Sequence, residues 1–217
     1  MPSIAPAQPT PSGPSVWALT VLPLACVAAG CMAAFGSEAA TAAYFAAWRE
    51  EHREAVRWLT LFTNWGNPAL YLVYAGILLR GLKGRRRGPV ALALAYLAAQ
   101  LIVSLAIERA LKIGIGRPRP GVGGPFVPVS FDSAHNSMPS GHTVEMTLQT
   151  LPLAVLRRGL MPLMALVLAL MGASRIVLGW HHPSDVLAGL ALGLFGAALV
   201  QYLAPRLAAR LPKHWSV

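Results

Sequence analysis

Charge is what this sequence has least of. Of 217 residues, 12% are charged and 55% hydrophobic, and the mean hydropathy is +0.54. A water-soluble domain of this size needs about twice that charged fraction to clothe its surface. The composition therefore argues against a soluble globular protein and assigns most of the surface to lipid. Acidic residues are scarcest: 8 Asp and Glu stand against 18 Lys and Arg, for a net charge of +10. The aromatic-interleaved basic surface of a nucleic-acid binder is missing, so no nucleic-acid partner is expected. The basic residues fall in short runs between apolar segments, as membrane topology signals do. Cysteine is nearly absent too. Cys26 and Cys31 lie in one apolar segment without CxxC spacing, and read as small apolar residues rather than as a disulfide or metal site.

What is there is a series of apolar runs, at 17–35, 68–80 (extending to Leu82), 89–107, 143–156, 160–178 and 186–203. A helical span needs about 20 such residues. The pattern predicts an all-α polytopic membrane protein of six transmembrane helices. Residues 1–15, rich in Pro, Ser and Ala, read as a disordered tail. Residues 16–207 read as one transmembrane domain, and 208–217 as a basic cytoplasmic tail. Small residues after the first run resemble a signal-peptide cleavage site. The residues before it hold no Lys or Arg, so a retained helix is expected.

Basic residues orient the spans. Lys83, Arg85, Arg86 and Arg87 follow the second run, Arg157 and Arg158 the fourth, and Arg206, Arg210 and Lys213 the sixth. With six spans all three groups share one side, the cytoplasm, together with both termini. Between the first two runs, Phe45, Trp48, Ala55, Leu59 and Phe62 recur at helical spacing among charged residues. They predict an amphipathic helix in the outer interface or, alternatively, a packed loop helix.

Two outward segments break the charge rule. Arg109, Lys112, Arg117 and Arg119 follow the third run, and Arg175 lies near the end of the fifth. Charge near membrane depth is costly and usually functional. Fixed cations beside an apolar bundle call for an anion, and at a lipid surface that anion is a phosphate headgroup. The same segments hold His135, His142, His181, His182 and Asp185. Cations to neutralise phosphate oxygens, with imidazoles to attack or move protons, are the parts of phosphoryl transfer. A zinc site would also use histidines. However, a dense cationic cluster repels a divalent ion, and neither HExxH nor paired carboxylates occur, so no metal and no other cofactor is expected.

Three stretches then resemble a known family. Lys112 is followed after six residues by Arg119-Pro120, in KIGIGRPRP. Pro139-Ser140-Gly141-His142 comes next. Ser174-Arg175, His181 and Asp185 follow, in SRIVLGWHHPSD. Their identity and order resemble the type 2 phosphatidic acid phosphatases, relatives in site design of the vanadium haloperoxidases. The strict resemblance runs from Lys112 to Asp185, and the six-helix plan extends it over nearly the whole chain.

The resemblance implies roles for individual residues. His181 would be the nucleophile forming a phosphohistidine, and Asp185 would bind its other ring nitrogen. His142 would be general acid and then base. Lys112, Arg119 and Arg175 would clamp the phosphate, completed by Ser140 and the Gly141 backbone N–H. Arg117 is expected at the anionic lipid surface or, alternatively, on a second phosphate, and His182 in a structural role. Asp132 and His135 could line the headgroup entrance, and Glu145 could tune His142 or cap its helix.

The implied activity is metal-independent hydrolysis of a lipid phosphate or pyrophosphate on the outer face of a bacterial inner membrane. Partners would be the lipid phosphate substrate and the bilayer, with no obligate protein partner. Undecaprenyl pyrophosphate, phosphatidylglycerol phosphate and phosphatidate are the first substrates to consider, with lipid A as the nearest rival. Transfer of the phosphoryl group to another lipid is the alternative reaction. A lipid-binding or transport protein would need the cations but not the histidines.

Overall fold

The structure, a computed structural model, describes residues 13–216, so the expected tail at 1–15 lies almost wholly outside it. Among the described residues every regular element is helical. In order they are α1 (Gly13–Phe35), α2 (Glu38–Glu51), α3 (Arg53–Lys83), α4 (Arg87–Ala99), a π-helical segment (Gln100–Ile107), α5 (Glu108–Ile115), α6 (Gly141–Leu156), α7 (Met161–Val177) and α8 (Pro183–Arg210). Short 3₁₀ turns at Ser133–His135 and Arg158–Leu160 complete the chain.

The most polar of the apolar runs forms the centre. Thr143, Thr147, Gln149 and Thr150 would be costly facing hydrocarbon, and α6 carries them inside the bundle. From 143 to 154 every residue but Glu145 is buried. Thr147 and Thr150 donate to the carbonyls of Thr143 and Met146 at 2.7 Å. Gln149 donates to the Tyr96 hydroxyl at 3.1 Å and the Asn67 carbonyl at 3.3 Å. Helices α8, α7, α1, α3 and α4 surround α6. A stripe of small residues on α8 lets the two backbones close up. A Cβ added at Gly189 would stand 2.6 Å from the Ser140 carbonyl, and one at Gly193 2.8 Å from the Val144 carbonyl.

Several boundaries differ from expectation. The stretch 45–62 is not one amphipathic helix: it is divided at His52 between α2 and α3. There the imidazole stacks on Trp48 and its Nδ1 bonds the Trp48 carbonyl at 2.9 Å, a local side-chain bond that competes with the helix ladder. Beyond it nothing stops the helix, so α3 is a single element starting well before residue 68. The third run is also longer than expected, since α4 passes through the π-helical segment into α5. Arg109 and Lys112 thus stand on the last turns of a helix rather than in a loop. That helix stops at Gly116, left-handed at φ 60°, where a Cβ would overlap the Val127 carbonyl.

Among the described residues, four helices are long and apolar enough to cross a membrane: Pro14–Phe35, Arg87–Ile115, Arg158–Val177 and Pro183–Arg210. Six were expected. At 16 residues, α6 reaches only about 24 Å, and α3 carries charges at both ends.

The two ends of the bundle are distinct. At one, Arg87 N–H donates to the Ser216 carbonyl at 2.8 Å and Ser216 N–H to the Arg85 carbonyl at 3.0 Å. The basic α3–α4 turn and the C-terminal segment therefore meet, and Arg157 lines a cavity there with Arg80 and Arg86. At the other end the α5–α6 and α7–α8 loops come together.

Candidate active site

Three sequence stretches far apart in the chain converge at that second end. Lys112 lies on α5, Arg119 on the loop after it, Gly141 and His142 on the first turn of α6, Arg175 on the last turn of α7, and His181 just before α8. All six line one cavity of about 470 Å³. Ser140 and Asp185 are fully buried and support it from behind.

His181 is held by a backbone atom. Its Nδ1 is 2.7 Å from the Ser137 carbonyl. A carbonyl can only accept, so Nδ1 carries the hydrogen and Nε2 keeps its lone pair. Only 2% of the residue is exposed, and burial holds its pKa down at about 4. The ring is neutral at pH 7, the form in which Nε2 is a nucleophile.

Asp185 faces the same ring nitrogen of His181 that the motif implied, but from further away than the Ser137 carbonyl. Its Oδ2 is 3.8 Å from Nδ1, an ion-pair distance rather than a hydrogen bond. The carboxylate is already engaged: Oδ2 accepts from the Ser137 hydroxyl at 2.6 Å and the His182 N–H at 2.7 Å. Oδ1 accepts from Arg117 at 2.6 Å. The position follows from helix geometry, since Asp185 is in the first turn of α8, where a carboxylate caps free N–H groups.

Arg117 corrects an expectation. It does not face a lipid surface: its side chain is 11% exposed. Its guanidinium ties Asp185 to Glu38, with Ser184 Oγ at 2.6 Å. Glu38, at the start of α2, also accepts from Ser184 N–H at 3.0 Å and from Ser184 Oγ at 2.6 Å. Within this network two carboxylates face one buried arginine.

The cations are aimed by ordinary contacts. Lys112 Nζ lies 3.2 Å from Glu108 and 3.1 Å from the Asn136 carbonyl. Arg119 Nε donates to the Ser133 carbonyl at 2.9 Å. Arg175 donates to Thr63 at 3.1 Å and lies 4.1 Å from the Trp180 ring centroid, while its buried Nε has no partner among the described residues. A Cβ at position 141 would meet Glu108 Oε1 at 2.5 Å, so a larger residue there would push the Glu108 carboxylate that holds Lys112 out of place. The N-terminus of α6 adds its dipole. Three cations, a helix N-terminus and a neutral imidazole can together bind a tetrahedral oxyanion and attack it.

The remaining residues divide. Glu145 lines the cavity, accepts from Asn67 at 3.0 Å and does not cap α6. His182 bonds the Pro118 carbonyl at 3.3 Å. His135 and Asp132 pair with each other at 3.4 Å and are not among the cavity-lining residues. Among the described residues, no three His, Cys, Asp or Glu side chains group as metal ligands. Ser137 and Glu38 were missed in the sequence: one acts partly through a backbone carbonyl, and the other is over 140 residues from its partner Ser184.

Comparison with known proteins bears on the same stretches. A family model described as the PAP2 superfamily matches residues 89–208. The lipid A 1-phosphatase of Rhizobium johnstonii is 32% identical over 157 residues, covering 64% of this chain and 64% of that protein. The lipid A 1-phosphatase of Rhizobium etli is 34% identical over 105 residues, covering 46% and 45%. The decaprenylphosphoryl-5-phosphoribose phosphatase of Mycobacterium tuberculosis is 36% identical over 103 residues, covering 47% and 56%. The chain thus spans less than two thirds of the length of each of these relatives. No solved structure gives a significant match.

Proposed function

The chain belongs to the PAP2 superfamily, and from that premise we propose that it is an integral membrane lipid phosphatase working through a phosphohistidine. The observation that carries this reading is the state of His181. Its Nδ1–H is pinned to a carbonyl, and its neutral ring lines a cavity with Lys112, Arg119 and Arg175. Pure binding of an anion needs the cations but not an imidazole in this tautomer.

The reaction has two steps. Lys112, Arg119 and Arg175, with the Gly141 N–H and Ser140, hold the phosphate oxygens. His181 Nε2 attacks phosphorus, the bond from phosphorus to the lipid oxygen breaks, and His142, which takes up a proton only once the bound phosphate's negative charge offsets the cations around it, gives that oxygen its proton. His142, now neutral, takes a proton from water. The hydroxide displaces His181, the P–N bond breaks and phosphate leaves. Asp185 stabilises the charged ring at 3.8 Å without sharing its proton. The charge on phosphate is met by fixed side chains, so no divalent ion is needed.

Helices α3 and α6 complete the six-span plan around the four apolar helices, with residues 16–207 as one domain. The basic turns lie at the opposite end from the cavity. By the positive-inside rule they mark the cytoplasm and put the cavity on the periplasmic face of the inner membrane. Helix α2 and the start of α3 rest at the outer interface. The named relatives act on phosphate carried by lipid A and by a decaprenyl-linked phosphoribose, which favours a phosphate monoester on a large lipid here.

The test is phosphate release by purified protein in detergent with EDTA, from lipid A, phosphatidate, phosphatidylglycerol phosphate and undecaprenyl pyrophosphate, beside His181→Ala. Release lost in the variant is the expected result. No release from a folded protein, with transfer to an added acceptor lipid instead, would replace hydrolysis by phosphotransfer.

A further inference from the structure

A second cavity, of about 750 Å³, opens at the basic end of the bundle. It is distinct from the phosphate cavity, because His142 and Arg157 stand at opposite ends of α6 and the helix between them is about 22 Å long. Three guanidiniums from separate segments line it. Arg80 comes from the last turn of α3, Arg86 from the α3–α4 turn and Arg157 from the end of α6. Backbone bonds close the turn that carries the first two: Gly84 N–H donates to the Arg80 carbonyl at 3.0 Å, and Arg86 N–H to the Gly81 carbonyl at 2.8 Å. A Cβ at Gly81 would stand 2.8 Å from the Val90 side chain, so α3 and α4 meet closely there and the site is formed before anything binds.

None of the three guanidiniums has a hydrogen-bond or ion-pair partner among the described residues. No Asp or Glu occurs at 55–107, 146–184 or 186–217, the stretches that supply this end, so their countercharge comes from outside the chain. A topology signal needs basic residues on one side of the membrane, but not three of them drawn to one cavity. The rest of the wall decides which anion fits. Ile77, Leu92 and Leu156 belong to it, and Leu156 is 59% exposed, so the cavity runs from the arginines onto an apolar flank. A small soluble anion leaves that hydrocarbon surface uncovered, whereas a lipid buries it. Basic pockets between transmembrane helices on the cytoplasmic side suit anionic headgroups.

We propose that this cavity binds an anionic glycerophospholipid of the cytoplasmic leaflet, its phosphate among Arg80, Arg86 and Arg157 and an acyl chain along Ile77, Leu92 and Leu156. The leaflet rests on the orientation proposed above; the site itself needs neither that orientation nor phosphatase activity. The bound lipid bridges α3, α4 and α6 and stabilises the fold by mass action.

Native mass spectrometry of the full-length protein in detergent tests this, with dioleoyl phosphatidylglycerol and dioleoyl phosphatidylcholine supplied in equal amounts. Phosphatidylglycerol is expected to be retained roughly tenfold more often. That preference is expected to vanish in Arg80→Gln/Arg86→Gln/Arg157→Gln, to fall several-fold in Arg157→Gln alone, an exposed position, and to persist in Arg175→Gln, whose lesion lies in the phosphate clamp. Loss in Arg175→Gln alone would put the lipid in the phosphate cavity and overturn the proposal. Equal retention of the two lipids would also overturn it, as would displacement of phosphatidylglycerol by inorganic phosphate, which would mark a site for a free anion. A protein that holds the lipid here yet releases no phosphate from any substrate would sink the phosphatase reading and leave this one standing.

Discussion

Ser137 holds His181 with one atom and Asp185 with another: its carbonyl takes the imidazole N–H at 2.7 Å and its hydroxyl the carboxylate at 2.6 Å. The two roles separate by mutation. Ser137→Ala keeps the carbonyl and loses a hydrogen bond to a buried charge, which costs about 1.5–3 kcal/mol. It is expected to lower the unfolding midpoint more than it lowers kcat. Arg117→Leu leaves Asp185 and Glu38 without their shared cation. It is expected to cut kcat by tenfold or more with KM nearly unchanged, because Arg117 is not among the residues lining the cavity. Steady-state kinetics on both variants checks these outcomes. His181 makes a pH prediction. In an unfolded chain histidine titrates near 6.5, whereas here burial holds it at about 4. Across that window the unfolded chain takes up a proton that the folded chain refuses. Stability is therefore complete above it and falls as pH drops through it, by on the order of 3 kcal/mol from this group alone. Unfolding measured at pH 7 and pH 4 reads the difference.

At the scale of elements, the site depends on how closely α8 approaches α6. Gly189 faces the Ser140 carbonyl and Gly193 the Val144 carbonyl, so a larger side chain at either position wedges the helices apart. Overpacking of this kind costs about 1–3 kcal/mol. Gly193→Val is expected to lower stability. Gly189→Val is expected to lower activity as well, because it moves the backbone that presents Gly141 and His142; thermal unfolding and turnover measured together distinguish the two. The apolar runs behind α1, α7 and α8 were legible because lipid and core both ask for uninterrupted hydrocarbon. The break at His52 was not, since it turns on one imidazole returning to the Trp48 carbonyl. Nor was the π-helical segment at 100–107, whose residues would suit an ordinary helix equally well. Within the site, side-chain positions followed from motif spacing. The Ser137 carbonyl carries no residue-type signal, and the Arg117–Glu38 pair joins segments whose proximity only the fold creates.

For the whole molecule, the two ends carry opposite chemistry: basic turns and the C-terminal segment at one, the cavity and its loops at the other. If the bundle spans the membrane as proposed, a membrane-impermeant maleimide is expected to label Phe131→Cys from outside intact spheroplasts, and Lys83→Cys only after permeabilisation. The reverse pattern would invert the orientation. The central claim is chemical, and covalent trapping tests it most directly. Purified protein is mixed with a lipid phosphate labelled on phosphorus, quenched in alkali within a turnover, and digested for mass spectrometry. Label is expected on the His181 peptide, stable to alkali and lost in acid, at a level set by turnover and absent from His181→Ala. Full phosphate release with no label on His181, in a protein whose His181→Ala variant still turns over, would contradict it.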